Sequence, residues 1–351
     1  MKIFIFLFII ILILVRFFLQ KPNFKNGDTI RITARVLSEP LVFSTSQYLT
    51  LEGIKMYLPK IPEITYGDKV VVEGKVDGNK LINAKLIEFK VKKAGFLYKF
   101  RNSLIKYYKR ILPEPYSSLI AGTVIGSKNM PEDFWNKLKA TGTAHVVVAS
   151  GTNVTLTAGF LLSISTYFLK RKKAIWICLV GIIIYIVLSG FDAPIVRAGI
   201  MGAILFIAQE KGRLVSAWRL LFLTGLIMLL IKPIWITDLG FILSFVATAS
   251  LMLFQKRINS LLKFVPNILR EGLSTSLAAQ IGVAPIIYAT FGQFNIFSPL
   301  INALVLWTIP YIMILGAIGG IVGLVIPILG KVILLIAFPL VWWFVGIVNL
   351  F

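Results

Sequence analysis

The chain has 351 residues, 57% of them hydrophobic, against about 45–50% in an ordinary soluble domain, and its mean hydropathy is +0.85. It carries 37 Lys+Arg against 15 Asp+Glu, a net charge of +22, with one histidine and one cysteine. This excludes a soluble globular enzyme, an internal disulfide and a His/Cys zinc site, and no P-loop pattern supports nucleotide hydrolysis by that route. The positive excess has two readings, loop charge that sets membrane topology and binds anionic lipid, or recognition of a polyanionic cargo.

Residues 3–19 are almost wholly apolar and lie between Lys2 and Lys21. No small-residue cleavage site follows in Arg16-Phe-Phe-Leu-Gln-Lys, so residues 1–20 read as an uncleaved anchor, slightly short of the ~20 residues of a full span. Residues 24–93 are polar, with alternating runs such as Thr29-Ile-Arg-Ile-Thr-Ala-Arg and Lys69-Val-Val-Val-Glu-Gly-Lys-Val, divided by Tyr66-Gly-Asp and Asp77-Gly-Asn turns. About five short strands of this kind predict a small OB-like β-barrel. Its aromatics are few, Phe43, Tyr48, Tyr57 and Tyr66 among them, so a scaffold role stands beside single-strand binding.

Residues 95–140 read as an amphipathic helix and a connector. Leu97, Phe100, Leu104, Tyr108 and Ile111 form one stripe, with Lys99, Arg101, Lys106, Lys109 and Arg110 off it, which suits a helix in the membrane interface. Gly122 and Gly126 have the spacing that permits close helix contact. The remainder, 141–351, predicts a polytopic α-helical membrane domain of about eight spans, near 145–169, 174–190, 194–209, 216–232, 239–254, 273–291, 298–320 and 328–350. Lys170-Arg-Lys-Lys, Lys211 with Arg213, and Lys256 with Arg257 follow alternate spans and agree on one cytoplasmic side. Traced back, this places the amino terminus in the cytoplasm and the β domain outside a cytoplasmic membrane.

Polar groups at membrane depth are costly and mark sites by default. His145 opens the first span, followed by Ser150, Gly151, Thr152 and Asn153; Ser150, Asn153 and Thr157 fall on one helix face. His145 reads either as an anchor for a helix end or as a proton acceptor. A His145–Ser150 hydrolase lacks an orienting carboxylate. Asp192 and Asp238 sit where helix caps belong, and Ser244 with Thr248 suits packing between helices. Arg197 lies inside an apolar span and needs a carboxylate or a wet cavity. Gln280, Pro285, Asn302 and Pro310 complete the polar and helix-bending features, the two prolines bending or breaking their helices.

These residues resemble a known family, the ComEC competence proteins, inner-membrane channels of natural transformation. His145 through Ser150-Gly151 is similar to the family's His-x4-Ser-Gly-x-His-Val segment. Ala193-Pro-Ile-Val-Arg197-Ala-Gly-Ile-Met201 resembles Pro-Ser-x-x-Arg-Ala-x-x-Met. Asp238-Leu-Gly-Phe-Ile-Leu-Ser-Phe-Val-Ala-Thr248 resembles Gly-Phe-Gln-Leu-Ser-Phe-x-Ala-Thr, and Ala284-Pro through Phe291-Gly-Gln-Phe and Asn302 a fourth segment. The second histidine of the first segment is Asn153 here, so a two-histidine role does not carry over. The resemblance implies a channel for single-stranded DNA, with His145, Ser150, Gly151, Thr152, Asn153, Arg197, Gln280 and Asn302 along its path. No cofactor and no metal are expected in this chain, and with no recognisable nucleotide-binding pattern a separate cytoplasmic motor is expected to pull. Many members continue into a metallo-β-lactamase-like domain, whose metal-binding histidines are not in this sequence. The expectation is therefore a short member whose nuclease is another polypeptide. A transporter of another anionic or polymeric solute is the alternative, with the membrane-embedded hydrolase behind it.

Overall fold

Alternating apolar and polar side chains build the amino-terminal sheet. The computed structural model describes residues 2–20, 24–36, 39–43, 45–78, 80–90, 95–148, 150–292 and 295–351. Helix α1 (Lys2–Gln20) precedes β1 (Thr29–Arg35), β2 (Leu41–Val42), β3 (Ser46–Leu51), β4 (Ile54–Pro59), β5 (Lys69–Asp77) and β6 (Lys80–Lys90). The sheet order is β1-β5-β6-β4-β3-β2, and only the β4–β6 ladder is parallel. In β4, Ile54, Met56 and Leu58 are buried while Lys55 and Tyr57 face outward, as a period of two requires. Ile32, Val36, Leu49, Leu51, Met56, Val70 and Val72 close the core.

The expected barrel is corrected to an open, OB-like mixed sheet. Among the described residues, β1 and β2 end the strand order without pairing with each other. Strand β2 has two residues, too few ladder bonds to carry the sheet round to β1.

The helical body comprises α2 (Phe96–Ile111), α3 (Tyr116–Ile125), α4 (Glu132–Ala140), α5 (Ala144–Val147), α6 (Gly151–Phe168), α7 (Arg171–Ser189), α8 (Ala193–Glu210) and α9 (Ala217–Ile231). A 3₁₀ turn (Pro233–Thr237) leads to α10 (Leu239–Leu261), α11 (Asn267–Phe291), α12 (Ser298–Leu306), α13 (Ile309–Val325) and α14 (Pro327–Leu350). The expected spans fall on helices, the one near 145–169 divided between α5 and α6 and the one near 298–320 between α12 and α13. Among the described residues, six segments are long and apolar enough to cross a membrane, or seven when α12 and α13, bent by 46°, are counted as one span. Pro310 stands at that bend in the first turn of α13, where its missing N–H costs nothing, whereas Pro285 lies inside α11 without ending it. Helix α9 has 15 residues. At 1.5 Å per residue it is about 22 Å long, short of a ~30 Å hydrocarbon core.

The stripe on α2 packs against α3 and α13, and Tyr108, fully buried, donates its hydroxyl to Gly316 O at 3.0 Å. Gly126 serves twice: it caps α3 with φ 66, a left-handed conformation that glycine adopts without penalty, and it lets α3 lie close to α7, where a Cβ would stand 2.9 Å from Ser189 Cβ and 3.2 Å from its Cα. Arg101 is not on a lipid- or solvent-facing side either. It is 3% exposed and fastens the β domain to the helices. Its Nη atoms donate to both oxygens of Glu39 at 3.1 and 2.9 Å, and Nε donates to Leu188 O at 2.7 Å. The Ser127 hydroxyl and the Lys128 amide also donate to Glu39, and the Tyr66 ring lies 5.5 Å from the guanidinium. Burial pushes the Glu39 carboxyl up, but the Arg101 charge and these hydrogen bonds outweigh it and hold its pKa below the ordinary 4.5.

Candidate functional site

Helices α6, α8, α10 and α11 surround a cavity of about 2750 Å³ that reaches the β domain at Arg35, Tyr48, Thr50 and Lys55. Small-molecule pockets are typically about 300–1,000 Å³, so this space suits something larger. His145, Ser150, Gly151, Thr152, Asp192, Arg197, Asp238, Ser244, Gln280 and Asn302 all line it, although they come from five separate stretches of chain.

Asn153 does not line the cavity. It is fully buried: its Oδ1 accepts the Ser150 hydroxyl at 2.9 Å and its Nδ2 donates to Thr123 O at 3.2 Å. The reason is local. Ser150 is the cap of α6, accepting from the Asn153 amide at 3.2 Å, so the first turn carries Asn153 back against α3. The same bonds commit the Ser150 hydroxyl to the cap, and no hydrogen bond joins it to His145 among the described residues.

Asp238 caps α10 as its position suggests, accepting from Phe241 N at 2.8 Å. Asp192 stands at the cap position of α8 but makes no capping bond, and instead pairs with Lys128 Nζ at 2.7 Å. Ser244 and Thr248 face the cavity rather than a helix seam, and Thr248 donates to Ser244 O at 2.8 Å.

Arg197 Nη1 donates to the same Ser244 carbonyl at 2.6 Å, its Nε is buried without a partner, and no carboxylate pairs with it among the described residues. A Cβ on Gly151 would stand 2.9 Å from Arg197 Nη2. The guanidinium therefore lies against the first turn of α6, the positive end of that helix. Arg197 thus has no carboxylate ion pair of its own among the described residues, while Asp192 and Asp238 on the same wall are engaged by Lys128 and by the α10 cap. Asn302, 2% exposed, donates to Ser276 Oγ at 2.9 Å while its Oδ1 has no partner. Gln280 donates to Asn295 O at 3.3 Å, so the connection after α11 folds back beside that helix. Gln293 and Phe294 of the fourth resembling segment lie outside the described residues.

A model of the family described as "Competence protein" matches residues 124–351, about two thirds of the chain. The chain belongs to the competence protein family. It is 29% identical over 233 residues to ComE operon protein 3 of Bacillus subtilis (strain 168), covering 65% of this chain and 29% of that protein. It is 28% identical over 153 residues to the uncharacterized protein YcaI of Escherichia coli (strain K12), covering 41% and 20% respectively. The chain thus matches less than a third of the length of either relative. No solved structure matches it.

The family-matched region contains α6, α8, α10 and α11, while α1, which adds Phe17 to the wall, precedes it. Within that region, Leu162 of α6, Leu205 and Phe206 of α8 and Leu251 of α10 line the cavity at the twelfth to fourteenth positions of their helices. Lys256 and Arg257, farther along α10, do not line the cavity.

Sequence reasoning missed Thr155, Thr275 and Ser276 on the wall, whose only signal was a hydroxyl in an apolar run. It also left Phe43, Tyr48 and Tyr57 as scattered aromatics. They form one cluster, with ring centroids 6.4 Å (Phe43–Tyr57) and 5.2 Å (Tyr48–Tyr57) apart, on the outer face of β2–β4 beside the cavity. Adjacency across the β3–β4 register brings them together, and that register is not visible in spacing alone.

Proposed function

We propose that the chain passes single-stranded DNA across the cytoplasmic membrane during competence, with the cavity as the strand's path. The observation that carries this is the wall of the 2750 Å³ cavity, where Arg197 stands without an acidic partner among hydroxyl and amide side chains. A phosphate chain cannot enter hydrocarbon, and it moves through a wet passage that offers donors and positive charge. Family membership points the same way. Contacts are made to phosphates, so passage depends weakly on base sequence.

In this reading the β domain lies outside and the basic helix ends lie in the cytoplasm. The strand meets Tyr57 and Tyr48, whose rings give bases a stacking surface, and then Lys55 and the cavity. Leu162, Leu205, Phe206 and Leu251 on the wall close the passage at rest, as hydrophobic constrictions do by dewetting. The pulling force comes from a separate cytoplasmic motor.

The test is arrival of labelled DNA in the cytoplasm of cells with the gene deleted and then restored. Uptake is expected to vanish and return. Undiminished uptake in the deletion strain removes this reading and leaves transport of another solute in front.

A further inference from the structure

We infer that the turn between α8 and α9 holds one anionic phospholipid by its phosphate. The site lies at the opposite end of α8 from Arg197 and is independent of the DNA reading. A second cavity, of about 410 Å³, opens between the last turns of α8 and the first turn of α9. Lys211, Arg213 and Arg219 surround it, with Ile204, Ile207 and Leu214 supplying an apolar side.

Four observations converge on a lipid. First, none of the three cations has a carboxylate partner among the described residues. Glu210, the acid next to them, pairs with Lys172 at 3.6 Å. Second, Arg219 falls in the first turn of α9, the positive end of that helix, and no acidic residue shares the turn. Third, the apolar side faces outward: Leu214 is fully exposed and Ile207 is 40% exposed, while Trp218 beside them is 47% exposed. Aromatic and aliphatic groups bordering a basic cluster match the level where headgroups meet acyl chains. Fourth, α9 is about 22 Å long, and a short span draws the headgroup layer inward or extends cations to reach it. A phosphate among Lys211, Arg213 and Arg219, with its acyl chains along Ile207 and Leu214, answers all four. A basic pocket between spans is the ordinary form of such a site.

The alternative source of the same phosphate is a soluble anion, and the alternative to a site is diffuse surface charge. The experiment uses the full chain in nanodiscs of phosphatidylcholine with a minority of phosphatidylglycerol, released into a mass spectrometer to count retained lipid. The site variant combines Lys211→Gln, Arg213→Gln and Arg219→Gln. The control combines Lys170→Gln, Arg171→Gln and Lys173→Gln, removing equal charge from the α6–α7 turn, which lies at the same end. Retention of phosphatidylglycerol is expected to fall about tenfold in the site variant only, and excess glycerol phosphate is expected not to displace the lipid. Leu214→Asn, which keeps every charge, is expected to weaken retention as well. Equal loss in both triple variants, or displacement by glycerol phosphate, overturns the inference.

Discussion

The joint around Arg101 and the cavity wall around Arg197 each place one arginine among apolar helices, and they resolve it differently. Arg101 is 3% exposed and meets Glu39 through two parallel hydrogen bonds, with Leu188 O taking its third donor. Arg197 has one carbonyl, a buried Nε without a partner and a helix start against its other edge. A buried cation with a complete set of partners holds structure together. A cation with an incomplete set, facing a cavity, is kept for something that arrives.

Removing the partner at the joint has the largest expected effect. Glu39→Ala leaves Arg101 buried and unpaired, a loss of about 3–5 kcal/mol. It is expected to lower the amount of protein in the membrane and to open the β-domain junction to protease. The same contact sets an acid limit. Because the Glu39 carboxyl is held below its ordinary value of 4.5, its contribution is complete above that pH and is lost as pH falls through the depressed value. Protease sensitivity of the junction should therefore rise below about pH 4.5 in the natural chain and not change with pH in Glu39→Ala.

Arg197→Ala tests the other side of the comparison. The protein should reach normal abundance, since the Ser244 carbonyl still has the Thr248 hydroxyl. DNA uptake should fall roughly tenfold to a hundredfold, the worth of one or two hydrogen bonds to a charged group. A large loss of abundance instead would make Arg197 a second structural arginine. Gly151→Val keeps the charge but drives a side chain into the guanidinium, where even a Cβ would lie 2.9 Å from Nη2. Uptake should drop by less than in Arg197→Ala, with abundance unchanged. Ser150→Ala is the smallest perturbation. It removes the α6 cap at a cost of about 1 kcal/mol and should lower thermal stability slightly while leaving some uptake, whereas a Ser150 nucleophile would show complete loss.

The two regions also differ in how much of them the sequence disclosed. Helix positions were legible, because runs of apolar residues between basic turns have few other meanings in a chain this hydrophobic. Asp238 was legible as a cap because capping is a contact between residues three apart. The joint was hidden: Glu39 and Arg101 are 62 residues apart, and Arg101 reads as one more polar-face cation on an amphipathic helix. Asn153 was misplaced for a related reason. Its spacing from Ser150 and Thr157 gave a helical face, but not which neighbour that face meets. Arg197 stood out because an ionised group in an apolar span has to be explained, and the missing partner became visible only with the helices around it. The sheet was read as closed because alternation reports which residues are buried but not whether the first and last strands meet.

The central claim is that the cavity is the strand's path, and photocrosslinking of incoming labelled DNA tests it most directly. One photoreactive residue is placed at Thr248, on the cavity wall, and another at Ile183, which is 61% exposed on the outside of α7. Adducts at position 248 and none at 183 are predicted. Adducts at neither position while uptake proceeds, or equal adducts at both, would contradict the account.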